Sequence, residues 1–293
     1  MSEAEKAVHS GGLPYAFGAY LLWGFFPIYF MFLKGIAAGE ILAHRIIWSV
    51  PVVMVILLLR GQWQEFRSAW SSPRALGTML LSAIFIAINW LFYVAAIVEG
   101  HVLATSIGYY LNPLVNVLLG RIFLKERLTR LQAVAVAVAM IGVAILMFEA
   151  IDTLWISLIL AFSFGSYGLV RKMAPLGSVP GLAVEVTILA PIALTAAVVF
   201  AQGRAEALPM QSEALLAISG FLTVIPLLLF ATAARKMSYT ALGFVQYLAP
   251  SIVFLLGVFL FHEPLDWAKL ACFGLIWTAI AIFSWDALRR MRA

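Results

Sequence analysis

Apolar runs of about 20 residues follow one another along the chain, each long enough to cross roughly 30 Å of hydrocarbon as a helix. That pattern removes most folds at once. Within a bilayer the backbone must satisfy its own hydrogen bonds, which only helices and closed barrels do, and the alternating pattern of barrel strands is absent. With 64% of its 293 residues apolar and 11% charged, the chain is not composed like a soluble protein. The reading is an all-α integral membrane protein with ten transmembrane helices, at 12–33, 40–60, 75–98, 102–124, 130–149, 153–171, 180–201, 213–234, 240–261 and 266–288. Short connections force neighbouring helices antiparallel, and the two longer ones, Gly61–Pro73 and Gln202–Gln211, hold corresponding places. Thr129 and Gln132 form a capping box for the fifth span, and Asp266 caps the tenth. The polar stretch Met1–Gly11 lacks a signal pattern, and the first apolar run is too long for a cleaved signal core, so it is expected to stay as a span.

The charges give the orientation. Fifteen of the 19 Lys and Arg residues fall in or at the ends of even-numbered connections and in the two termini, three fall on the opposite side, and Arg45 alone lies well inside a span. By the positive-inside rule both termini are cytoplasmic. The net charge of +5 is then a topology signal, including the clusters Arg121–Arg130, Arg171-Lys172 and Arg235-Lys236, and no nucleic-acid partner is implied. A single Cys272 excludes a disulfide within the chain. There is no phosphate loop, no His/Cys ligand spacing and no Ser/His/Asp set, so neither metal, cofactor, catalytic residue nor ATP-driven pumping is expected.

The chain also says one thing twice. Shifted by 137 residues, Ala104–Leu128 falls on Ala241–Leu265 with nine identities in 25 positions, among them Tyr110/Tyr247, Pro113/Pro250, Gly120/Gly257 and Glu126/Glu263. The same offset matches Ser82 to Ser219 and Ala96 to Ala233, and slightly different offsets bring Trp23-Gly24 onto Phe164-Gly165 and Pro51 onto Pro191. Residues 12–149 and 150–288 thus read as one five-helix unit used twice. An odd number of spans per unit inverts the second copy, and inverted repeats provide two near-equivalent packings, one open to each face.

Ionisable groups inside the membrane are costly and therefore informative. Arg45 lies about 7 Å below the outer end of its span, and Glu185 holds the repeat-equivalent place near the cytoplasmic end. Arg45 suits a planar anionic group, and Glu185 suits a cation or coupling proton and is assigned to coupling or gating. The bland alternatives are snorkelling or pairing with Glu40 for Arg45, and a structural hydrogen bond for Glu185. His44 stands beside Arg45. Asn89, Trp90 and Tyr93, then Tyr109, Asn112 and Asn116 at i, i+3 and i+7, then Gln246 and Tyr247 cluster near the midplane. Such carboxamides and rings either hold a neutral or zwitterionic organic molecule or glue helices together. Pro113 and Pro250 are candidate hinges, and fixed kinks are the alternative.

Taken in order, Trp23-Gly24 with Pro27-Ile28-Tyr29-Phe30, Glu40-Ile41-Leu42 with His44-Arg45, Trp48-Ser49, Asn89-Trp90-Leu91, Gly108-Tyr109 through Asn112-Pro113-Leu114, Gly168 through Lys172, and Gln246-Tyr247 with Pro250 give a nearly end-to-end resemblance. The chain resembles the RarD branch of the EamA family, in the drug/metabolite transporter superfamily. The resemblance implies two EamA repeats, a ten-helix permease of the cell inner (plasma) membrane and a central cavity. Ala104 stands where the family pattern often has Glu, so no cation or proton role is carried to that position. The expectation is a secondary-active transporter of small organic solutes, metabolites or drugs, embedded in membrane lipid, with protons as a candidate partner and a monomer or homodimer as its state. A non-transporting receptor or assembly protein is the rival reading, and an enzyme is the weakest.

Overall fold

The structure, a computed structural model, describes residues 11–99, 101–149, 151–203, 208–262 and 267–292. The expected cap Asp266, the repeat mates Glu263 and Leu265, and the charges Lys6 and Arg204 lie outside the described residues. Among those described there is no strand. The helices are α1 (Leu13–Gly24), α2 (Phe26–Met31), α3 (Ala38–Leu59), α4 (Trp63–Ser71), α5 (Pro73–Val98), α6 (Val102–Phe123), α7 (Arg130–Glu149), α8 (Leu154–Met173), α9 (Ser178–Gln202), α10 (Met210–Lys236), α11 (Tyr239–Gln246), α12 (Leu248–Phe259) and α13 (Trp267–Arg292). Among the described residues nine segments are long and apolar enough to cross a membrane. The 22-residue α6, which carries Tyr109, Asn112 and Asn116, runs among them in the place of the fourth expected span.

Two expected rods are broken. The first span parts at Phe25 into α1 and α2, and the ninth parts at Tyr247 into α11 and α12. Pro27 has no N–H for the Trp23 carbonyl and Pro250 none for that of Gln246, so the ladder lapses one turn before each ring. Proline alone does not decide it, because Pro51, Pro113, Pro191 and Pro226 sit inside continuous helices. The two broken helices meet: a Cβ on Gly24 would stand 2.8 Å from Ile252.

The long connection after α3 is itself structured. Arg60 and Gly61 end the helix, with Gly61 at φ 64° and the Gln62 amide donating to the Leu57 carbonyl over 3.0 Å, a Schellman stop. The amphipathic α4 then buries Phe66 and Ala69 and exposes Trp63 and Trp70, as a helix lying along the bilayer interface does.

Hydrogen bonds show which connections share an end. The Glu126 carboxylate accepts from the amides of Tyr239 (2.6 Å) and Thr240 (2.9 Å), and Glu65 accepts from that of Gly177 at 2.6 Å. Lys172 Nζ donates to the carbonyls of Ala234 and Met237, both at 2.7 Å, while an Arg235 guanidinium nitrogen donates to that of Ala174 at 2.9 Å. Thr129 forms the expected capping box with Gln132 and also bonds Asp286 over 3.0 Å. These ties gather the basic connections and the end of α13 at one end, hereafter the basic face, and the start of α1 joins them there, since a Cβ on Gly12 would stand 2.9 Å from Met237. Cations sit on helix C-termini and carboxylates on N-termini, where the backbone leaves carbonyls and amides unpaired.

The closest packing joins helices from opposite halves of the chain: α13 with α7, α6 with α8 and α11, α3 with α9 and α10, α5 with α8 and α9, and α1 with α10 and α12. Exchanging the two sets of five spans maps each of these pairings onto itself or onto another. Neither half therefore buries its own core without the other. The approach is tightest where α10 crosses α3, since any side chain on Gly220 would run into the Trp48 backbone carbonyl. Gly220→Ala is expected to cost about 1–3 kcal/mol by overpacking. A lowered thermal unfolding midpoint of the purified protein checks this, with Gly77→Ala, where nothing lies within 4 Å, holding the wild-type value.

Candidate functional site

A cavity of about 310 Å³ lies among the helices, lined by parts of α1, α2, α3, α5, α6, α8, α10 and α12 with Gln246 at the end of α11. Its residues come from the middle of each span and from the half remote from the basic face: Tyr20 to Phe30, Arg45, Ile86 to Tyr93, Thr105 to Asn112, and Gln246 to Val253. The walls are aromatic, with Trp23 and Phe164 meeting edge-on at 5.8 Å and Tyr93 and Tyr109 at 5.9 Å.

Among the described residues on the cavity wall, Arg45 alone is charged. Its Nε donates to Thr223 Oγ1 at 3.0 Å, and its guanidinium carbon lies 5.7 Å from the ring centres of Phe26 and Trp90 and 6.0 Å from that of Phe30. Such faces hold a cation without neutralising it. The ion pairs seen among the described residues do not include Arg45.

The carboxamides divide between glue and lining. Asn89 Nδ2 donates to the Leu160 carbonyl (2.9 Å) and Ser163 Oγ (3.1 Å), fixing α5 to α8. Asn116, behind the wall, donates to Gln246 Oε1 at 2.8 Å, and Tyr20 reaches the same oxygen at 3.4 Å. Asn112 lines the cavity with a buried Oδ1 that has no donor. The structure therefore brings Arg45, Asn89, Trp90, Tyr93, Tyr109, Asn112, Gln246 and Pro250 to one cavity. His44, Asn116, Tyr247, Pro113 and Glu185 are not among its lining residues. Tyr247 is fully buried, and Pro113 packs its carbonyl toward Gly243.

Glu185 belongs to a second cluster, toward the basic face. Its Oε1 stands 3.4 Å from Arg171 Nη1, with both side chains almost wholly buried. The other Arg171 terminal nitrogen donates to the Ser178 carbonyl at 2.8 Å, and the guanidinium lies against Gly181, where a side chain would collide with it. Arg171 Nε and Glu185 Oε2 lack hydrogen-bond partners. Around the pair Tyr167 stacks on Phe230 at 5.9 Å and Tyr239 donates to the Gly165 carbonyl. Reading Arg171 as a loop charge is thus corrected: its side chain turns inward from the last turn of α8. Sequence reasoning also missed Thr223 and the aromatic wall of Tyr20, Trp23, Phe26, Phe30 and Phe164. The available signal was Phe26 and Phe30 at i and i+4 around Pro27, facing a span that carries an arginine.

Against known proteins, residues 10–148 match the model of the EamA-like transporter family. A transporter of Pseudomonas aeruginosa described as uncharacterized is 45% identical over 280 residues, covering 94% of this chain and 93% of that one. Protein RarD of Streptomyces exfoliatus is 42% identical over 284 residues, covering 96% of this chain and 90% of its own. A crystal structure of a protein only 19% identical superposes with a TM-score of 0.73 over 97% of this chain and 100% of that one, which speaks to the fold alone. An all-helical membrane bundle, a central cavity and full-length likeness to RarD proteins lead to one conclusion: the chain belongs to the EamA family of membrane transporters, in its RarD branch.

Proposed function

We propose that the protein is a secondary-active permease for small organic solutes carrying an anionic group on an apolar or aromatic body, working by alternating access between two inverted five-helix repeats. The carrying observation is the cavity itself: one unneutralised guanidinium, one buried acceptor on Asn112, and rings on the remaining walls. Arg45 holds the anionic group, its charge strengthened by the low-dielectric surroundings and its Nε held by Thr223. Trp90, Tyr93 and Tyr109 pack the body of the solute, and Asn112 accepts a hydrogen bond from it. Packing that maps onto itself when the halves are exchanged supports the repeat reading.

In this reading the basic face is cytoplasmic, so the cavity serves the opposite, outer side while the cytoplasmic half is closed. The Arg171–Glu185 pair occupies the repeat-equivalent ground to Phe30 and Arg45 and acts as the inner gate. A half-satisfied buried ion pair contributes little net stability, which suits a contact that must break in each cycle. A proton delivered to Glu185 would cancel its attraction for Arg171 and release the gate, which couples opening to a proton gradient.

Flux in proteoliposomes tests both assignments. Arg45→Ala is expected to lower kcat/KM for an anionic solute by about thirtyfold or more, the range for truncating one partner of a buried charge pair. An unchanged value removes Arg45 from the site. For the gate, a pH gradient is expected to speed wild-type flux and to leave Glu185→Gln unaffected. Wild-type flux indifferent to the gradient removes the proton, and an unaltered response in Glu185→Gln removes Glu185 as its acceptor. With Ser82→Cys in a Cys272→Ala background, Glu185→Gln is also expected to raise labelling from the basic face by a membrane-impermeant thiol reagent. Replacing both partners (Arg171→Met with Glu185→Met) is expected to restore low reactivity, since the pair is then removed without an orphan charge.

A further inference from the structure

A second crevice of about 510 Å³ opens at the basic face between the start of α1, the end of α3, the start of α9 and the second half of α10. It shares no lining residue with the central cavity. Arg60, which caps the end of α3, and Lys236, the last residue of α10, stand on its rim, and both are exposed. Lys236 Nζ lies 4.7 Å from the centre of the Tyr15 ring. Among the described residues no acidic side chain lines the crevice, and neither cation has a carboxylate partner. Below the rim the lining turns apolar with Ile225, Leu228 and Leu229, and Ile225 is 43% exposed. On α10 these three lie 7–11 residues from Lys236, about 11–16 Å deeper into the bilayer.

We propose that this crevice is a binding site for one anionic phospholipid, with the headgroup phosphate between Arg60 and Lys236 and an acyl chain along Ile225, Leu228 and Leu229. Two cations at the headgroup level above an apolar groove match a molecule with a negative head on an alkyl chain. A zwitterionic choline lipid brings an ammonium group to the same two cations, which repel it. A soluble phosphate leaves the groove empty and forfeits the apolar burial. The site is independent of the transport reading: it shares no lining residue with the solute cavity, and the five residues proposed to hold the lipid are not those of the Arg171–Glu185 pair.

Native mass spectrometry of the delipidated full-length protein tests this with three probes: dioleoyl-phosphatidylglycerol, dioleoyl-phosphatidylcholine and glycerol phosphate. The expected result is one tightly retained phosphatidylglycerol, with affinity about tenfold above phosphatidylcholine and no retention of glycerol phosphate. Arg60→Gln with Lys236→Gln is expected to abolish that preference, Arg60→Lys with Lys236→Arg to keep it, and Arg74→Gln, which removes an exposed charge at the same face, to leave it within about twofold. Should the double Gln variant fail to purify, the single Gln variants are read the same way, each with a reduced preference. Equal binding of the two lipids, retention of glycerol phosphate alone, an undiminished preference in the Gln variants, or an equal loss in Arg74→Gln would overturn the proposal.

Discussion

Hydrocarbon offers a polar group nothing to bond with, and in this bundle the groups that cannot reach water find each other across the halves of the chain. Asn89 of the first half is held by α8 of the second, Asn116 by Gln246, Arg45 by Thr223, and Ser157 by the Ala104 carbonyl. At the basic face Glu126 and Glu65 of the first half cap α11 and α9 of the second. Each bond is modest in itself, yet leaving its partners unpaired in a low dielectric is expensive. The polar groups therefore fix the register of two interlocked halves, and small residues such as Gly108, Gly165, Gly220 and Gly243 let those halves approach closely.

Interlocking of this kind leaves an uneven interior. Toward the basic face the space is filled by the Arg171–Glu185 pair, the stack of Tyr167 on Phe230 and a girdle of charges on helix ends. Toward the other face the equivalent ground is a cavity with an unneutralised arginine. The breaks at Phe25 and Tyr247 border that cavity, which Trp23, Phe26, Gln246 and Ala249 on either side of them line.

Much of this was legible before any coordinates. Lipid as solvent makes span length and apolarity strong signals, so the helical bundle could be read from runs of residues alone. Repeat arithmetic singled out Arg45 and Glu185 at opposite ends of the bundle, and the i, i+3 spacing on α6 singled out Tyr109 and Asn112, which line the cavity with Arg45. Other features had no local signature. Six prolines look alike in sequence, and only Pro27 and Pro250 break their spans, because that outcome depends on what packs against the freed carbonyl. Arg171 sits where a topology charge is expected, and a side chain at a helix end turns outward or inward according to its neighbours. The aromatic wall was hidden by abundance: with 13% aromatic residues, rings that line a cavity do not stand out from rings that face lipid.

The central claim is that a single bundle presents its cavity to one face at a time. Spin labels at exposed sites test it, one pair at Arg127 and Met173 on the basic face and another at Lys34 and Asp152 on the opposite face. Distances are measured by double electron–electron resonance in liposomes, with and without a transported solute. The account predicts opposed shifts, the basic-face pair separating as the other pair draws together. Distances that stay fixed while solute crosses, or that widen at both faces together, would contradict it.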